Sequence, residues 1–177
     1  MKSLQPVNHH RRQALITLAS LPLLALGACL ENERPTASPA FYSDQSRPGA
    51  TIDLKTATEI LNAYRANARL AALAPDAALN AIAQREAERL AQRGDLEDGE
   101  NASLASSLAA AGIPPRQVRK SITAGYQNFA DAFSGWRGAA HHDSVLRAPR
   151  GKRFGVAAHH RAGSRHRIYW VLLISDV

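Results

Sequence analysis

The stretch VRKSITAGYQNFADAFSGWRGAAHHDSVL, Val118 to Leu146, decides the fold. Its opening reads as a strand: Val118, Ile122, Thr123 and Tyr126 with small Ala124 and Gly125 near the end. It then changes period. Asn128 is placed to cap a helix and Asp131 follows three residues on, a loose capping-box arrangement. Phe129, Phe133 and Trp136 recur at helical spacing and put three large aromatics on one face. This stripe predicts core rather than a ligand platform. Gly138 is expected to end the helix, and a short polar turn to present His141 and His142 ahead of Val145 and Leu146.

Downstream, Arg153 to His160 alternates Phe154, Val156 and Ala158 with Gly155, Ala157 and His159. A hairpin loop at Ala162-Gly163-Ser164 separates it from Arg167 to Ser175, which is apolar at nearly every position. Ile168, Trp170, Leu172 and Ile174 point one way; Tyr169, Val171 and Leu173 point the other. A strand apolar on both sides is covered on both sides. Upstream, helical spacing predicts a helix over about Asp53 to Ala68 and a second beginning near Pro75, with Leu79, Ile82, Ala83, Ala87 and Leu90 inward and Gly94 as its stop. A third is expected from a cap at Asn101 to Ala111, closed by Gly112 and Pro114-Pro115. The fold class is therefore α+β, a three-layer α/β/α sandwich with a small antiparallel central sheet flanked by helices.

The N-terminus carries an address. His10-Arg11-Arg12 is a basic flank, and Ala14 to Ala28 is an apolar run short for a bilayer span and suited to a signal peptide. It ends in Leu26-Gly27-Ala28-Cys29, a bacterial lipobox pattern built on the single cysteine of the chain. The expected organisation is a lipoprotein signal peptide over 1–28, a Pro- and Ser-rich flexible tether over 29–50, and one domain over 51–177. The expected product is exported and held at the membrane by lipid on Cys29, facing the periplasm or the cell surface. Export could use the general or the twin-arginine route. A lone cysteine leaves no intramolecular disulfide, so packing must supply the stability.

Loss of Lys2, Arg11 and Arg12 with the leader lowers the formal net charge from +7 to +4. Asp53 to Asn101 holds six basic and nine acidic residues, whereas Arg147 to Val177 holds seven basic residues and one acid, Asp176. A basic end suits anionic headgroups or acidic wall polymers, or is simply a solvated surface. Export argues against nucleic acid as a partner. No G-x-S-x-G, H-E-x-x-H, P-loop or G-x-G-x-x-G motif occurs. His159 and His160 are neighbours on a strand and point to opposite faces.

The tryptophan, small-residue turn, histidine and leucine of GW…HHDSVL resemble the signature of the CAP domain superfamily, which includes cysteine-rich secretory proteins, antigen five and plant pathogenesis-related proteins. LNAYRANARLAALAPDAALNAIAQREAERLAQRG (Leu61 to Gly94), FGVAAHH (Phe154 to His160) and IYWVLLIS (Ile168 to Ser175) extend the resemblance over roughly Ile52 to Ser175. The resemblance implies the same three-layer fold. It also implies a cleft of two histidines and two glutamates that binds a divalent metal in some members. Carried over by position, the last histidine matches His142, the first corresponds to Asp98, and Lys120 stands where a glutamate would be; the second glutamate has no counterpart. The expected cleft is thus His142, Asp98 and Lys120, a polar cluster rather than a metal site, with no cofactor. One histidine cannot hold a metal alone, and a nearby ammonium repels a cation. Three functional readings follow: a non-enzymatic envelope lipoprotein binding a lipid, a wall polymer or an envelope partner; a protease-like hydrolase using the cleft around His142; or a structural assembly factor of the envelope. The sequence does not fix the oligomeric state.

Overall fold

The computed structural model describes residues 39–47, 49–96 and 102–177. The apolar leader, Cys29 and Asp98 lie outside the described residues.

The central strand is β4, Ile168–Ser175, and all eight of its residues are buried. On one side it pairs antiparallel with β3, Arg153–His160; on the other it pairs antiparallel with β2, Val118–Ala124. A two-residue strand β1, Ala74–Pro75, adds to β3 in parallel, giving the order β1-β3-β4-β2. The sheet is therefore mixed, a correction to the all-antiparallel expectation. Asp76 explains it: its side chain caps the next helix through the Leu79 N–H at 2.9 Å, while its own N–H donates to the Phe154 carbonyl. Pro75 consequently ends a strand instead of opening a helix.

Two layers of helix cover the sheet. The even residues of β4 join Phe154 and Val156 in one core with α1 (Leu54–Asn67), α4 (Phe129–Gly138) and α5 (Ala140–Leu146). The odd residues join Ala157 and Ile122 in a second core with α2 (Ala77–Arg93) and α3 (Ala102–Ala110). The alternation read from the sequence thus assigns each β4 side chain to its layer. The fold is the expected α+β sandwich. Caps set the helix starts: Asp53 accepts from the Thr56 N–H at 3.0 Å, and Asn128 accepts from the Asp131 N–H at 2.9 Å. The aromatic stripe is core, with Trp136 fully buried and edge-on to Trp170 at 6.5 Å between centroids.

Two expectations change. Gly138 closes α4, but no polar turn follows: Ala139 alone is extended and the chain re-enters helix at Ala140, so His141 and His142 stand in the first turn of α5. The spacer expected over residues 29–50 is packed where it is described. A short 3₁₀ turn, Ala40–Tyr42, places Phe41 against the aromatic core. Gln45 is buried, donates its N–H to the Gln127 carbonyl at 2.8 Å, and uses its amide on the Ser43 and Thr51 carbonyls. Domain packing therefore begins before Thr51.

Candidate functional site

Strand β2, with α5 on one face of the sheet and α2 on the other, holds the sequence-predicted residues that are described. Ser121 and Lys120 are adjacent on β2 and leave it on opposite faces. Ser121 pairs across the sheet with Leu172 of the aromatic core, and Lys120 with Leu173 of the aliphatic one. Each finds a different partner.

On the aromatic face, the Ser121 hydroxyl lies 2.8 Å from Nδ1 of His142. Burial, then the neighbouring His141 ring 3.7 Å away, lowers the His142 pKa below its ordinary value, so the imidazole is neutral at pH 7. A hydroxyl against a neutral imidazole is the start of a nucleophile–base pair. The rest is missing. Ser121 is only 1 % exposed, so no substrate carbonyl reaches its oxygen, and no carboxylate among the described residues bonds the other His142 nitrogen. The pair fastens α5 to the sheet.

On the aliphatic face, Lys120 meets Glu86 of α2 at 3.7 Å. Glu86 is 3 % exposed and also takes a two-pronged bond from Arg89, at 2.9 and 2.7 Å. A carboxylate so deep in the protein requires paired cations to offset its lost hydration.

Further pins tie α1 to α5. Arg65 is fully buried; its Nε donates to the Ala71 carbonyl and an Nη to the Leu146 carbonyl, both at 2.8 Å. Burial pulls its pKa down, yet a guanidinium stays charged, and the Leu146 carbonyl at the negative end of α5 favours it. Tyr64 donates its hydroxyl proton to Asp143. Arg147 donates to the Tyr64 oxygen at 2.9 Å and to Asp143 at 2.9 Å, and lies 5.1 Å from the Tyr64 ring centroid. The Tyr64 hydrogen bond, with Asp143, raises the Arg147 pKa further.

His142 and Lys120 thus lie on opposite faces of the sheet, a correction to the expected cluster of His142, Asp98 and Lys120, and Asp98 lies outside the described residues. The divalent metal of some family members finds no ligand set in what is described: no group of three or more His, Cys, Asp or Glu gathers among the described residues, and Lys120 brings an ammonium on the face opposite His142. Sequence reasoning missed Glu86 and Ser121. Glu86 falls on the inward stripe of α2 with Leu79, Ile82, Ala83 and Leu90, so a charge at a core position was the available signal. Ser121 carried the period-two signal of a polar residue on an inward register.

The fold finds its counterparts in known proteins. The family model for CAP, the cysteine-rich secretory protein family, matches residues 58–174. The chain belongs to that family. Among solved structures it is similar to an extracellular protein containing an SCP domain from Bacillus anthracis, at 15 % identity and a TM-score of 0.59, over 68 % of this chain and 39 % of that one. It is also similar to an outer surface protein from Borrelia burgdorferi, at 15 % identity and a TM-score of 0.58, over 72 % and 97 %. A cysteine-rich secretory protein from Staphylococcus aureus matches at 18 % identity and a TM-score of 0.56, over 70 % and 38 %. The chain spans about two fifths of the Bacillus and Staphylococcus proteins and nearly all of the Borrelia one. At these identities the likeness is one of fold. No curated protein matches by sequence.

Proposed function

We propose that this chain is an exported CAP-domain lipoprotein of the cell envelope that acts by binding a lipid, a wall polymer or an envelope protein, without metal-dependent chemistry. The observation that carries this reading is the Glu86–Lys120 ion pair: at the strand position where the resemblance places a glutamate, the side chain is an ammonium, and it is drawn to the face opposite His142. The Leu26-Gly27-Ala28-Cys29 pattern supports the anchor, and similarity to extracellular and outer-surface proteins agrees with export. Leu30 after the cysteine, rather than aspartate, favours the outer membrane where the cell has one. Acyl chains, not a spanning helix, then hold the domain at the surface.

Isothermal titration of the chelator-treated protein with zinc tests the chemistry. The expected result is no one-to-one site at micromolar affinity; such a site, abolished by His142→Ala, would overturn the reading. Metabolic labelling with palmitate tests the anchor. Label in the native chain and none in Cys29→Ser is expected, and label retained by Cys29→Ser would refute it.

The hydrolase reading has one observation in its favour, the 2.8 Å Ser121–His142 contact. A fluorophosphonate probe that labels the native chain but not Ser121→Ala would revive it. Burial of Ser121 predicts no labelling.

A further inference from the structure

We infer that the bare edge of β3, from Val156 to His160, is a docking lane for an extended acidic peptide segment of a partner protein, added as a further strand beside β3. This stands apart from the β2 site and does not depend on the function proposed for it.

The backbone carries the inference. The Arg161 N–H donates to the Arg167 carbonyl at 2.7 Å, which sets the odd-numbered residues of β3 to bond β4. The even-numbered residues turn their backbone groups the other way. Near β1 that outward row is used. The Phe154 carbonyl accepts from the Asp76 N–H at 2.9 Å, and the Val156 N–H donates to the Asn80 side chain at 2.8 Å. β1 ends opposite Phe154. Beyond it, the Val156 carbonyl, both groups of Ala158 and the His160 N–H have no partner among the described residues. An open strand edge is a template for another chain unless something blunts it. Among the described residues no strand pairs with it, and the row carries no proline and no charge until the histidines.

The surroundings select the occupant. A hollow of about 290 Å³ runs along the edge, between Ala50–Ile52 on one side and Asn80, Ala81 and Gln84 of α2 on the other. It continues into a second hollow of about 400 Å³ that reaches Arg47, His159 and His160. His159 and His160 leave the strand on opposite faces as expected, yet both line this hollow because it wraps around the bare edge. Nε2 of His160 is buried there without a hydrogen-bond partner among the described residues. The walls leave a lane for one extended chain rather than the edge of a second sheet with its helices, which argues against a second copy. Charge gives the polarity. The lane leads to the β3–β4 loop, where Arg161, Arg165 and Arg167 are exposed and no acid follows them before β4. Two acids stand at the mouth, Glu88, which accepts from Gln84 at 3.0 Å and lies 3.9 Å from Nδ1 of His159, and Asp44, which accepts from the Ser46 N–H at 2.8 Å; with Arg47 and the three loop arginines against them the basic charge is in excess. An acidic end on the incoming strand complements the arginines.

The test uses the full chain in detergent and a pool of fluorescein-labelled heptapeptides, with Thr, Val or Ala in the first five positions and Asp or Glu in the last two. A second pool carries N-methyl groups on alternate amides, and poly-glutamate is the charge control. Binding is expected to slow hydrogen exchange at the Ala158 and His160 amides by about tenfold or more, since those donors become bonded. Methylation is expected to weaken binding by about tenfold, by removing the ladder bonds. The surface double substitution Arg161→Glu/Arg165→Glu, which leaves the ladder intact, is expected to weaken it by about fivefold or more. Poly-glutamate binding as tightly as the first pool, equal binding of the methylated pool, or unchanged exchange at Ala158 and His160 would each overturn the inference.

Discussion

The two faces of one sheet are held by opposite means. The aromatic face carries Phe129, Phe133, Trp136 and Trp170, and its helices α4 and α5 are short. Short helices have little cooperative stability of their own, and this face adds side-chain pins: Arg65 to Leu146, Tyr64 and Arg147 to Asp143, Ser121 to His142. The aliphatic face uses the 17-residue helix α2, rich in alanine, which comes so near the sheet that a Cβ on Gly155 would lie 2.2 Å from the Leu79 backbone. Close approach does there what pins do opposite. Its main polar tie, Glu86 with Arg89 and Lys120, lies farther along α2 from Gly155.

The contrast breaks most visibly at Trp136. Trp136→Ala empties the middle of the aromatic core and is expected to cost about 3–5 kcal/mol. Urea unfolding monitored by circular dichroism reads it, and a loss below about 1 kcal/mol would mean that the pins carry that face without its aromatics. Next is Glu86→Ala, which leaves Lys120 and Arg89 beside a vacated core position. About 3 kcal/mol is expected, the low end for a broken buried pair because both cations partly reach solvent. The same unfolding curves measure it, and an unchanged midpoint would show the aliphatic face to be held by packing alone. Gly155→Ala sharpens the difference from the other side. The methyl group meets helix backbone, which cannot swing away, so about 1–3 kcal/mol is expected, with α2 losing amide protection before α4. Equal loss in both helices would merge the two faces into one cooperative unit.

The smallest effect is acidic. The unfolded chain takes up a proton at His142 near its ordinary value of 6.5, whereas the folded chain, with the ring buried beside Ser121 and His141, resists it to lower pH. Between those values the unfolded state binds more protons, so the stability from the neutral ring is full above pH 6.5 and is lost as pH falls through the folded value. His142→Gln should flatten the part of the stability profile that falls away below about pH 6.5. An identical slope in the variant would assign the acid sensitivity elsewhere.

Much of this organisation was legible in the residues. The alternation of Ile168 to Ser175 assigned every side chain of the central strand to its face, because a two-sided strand has period two and no other freedom. Asn128 announced its helix because cap chemistry is local. What escaped was decided at long range. β1 is two residues long and ends in proline; only its seat beside Phe154 makes it a strand. α5 starts without a side-chain cap, so Gly138 read as the end of helix altogether. Gln45 looked like spacer until the Gln127 carbonyl received its N–H. Around β2, Lys120 and His142 were visible as positions, but their partners Glu86 and Ser121 were not, since pairing across layers leaves no mark on sequence spacing.

Arg65 has a consequence for the order in which the chain becomes native. Its guanidinium cannot leave water until the Leu146 carbonyl is in place to receive it, and the two residues are 81 apart in sequence. Helix α1 can form early as a local event, yet it cannot seat itself on the sheet while that acceptor is missing. A chain emerging from its N-terminus must therefore keep the inner face of α1 wet until α5 has formed. Folding is then governed by closure of a long loop rather than by helix growth, the regime in which high contact order slows the rate.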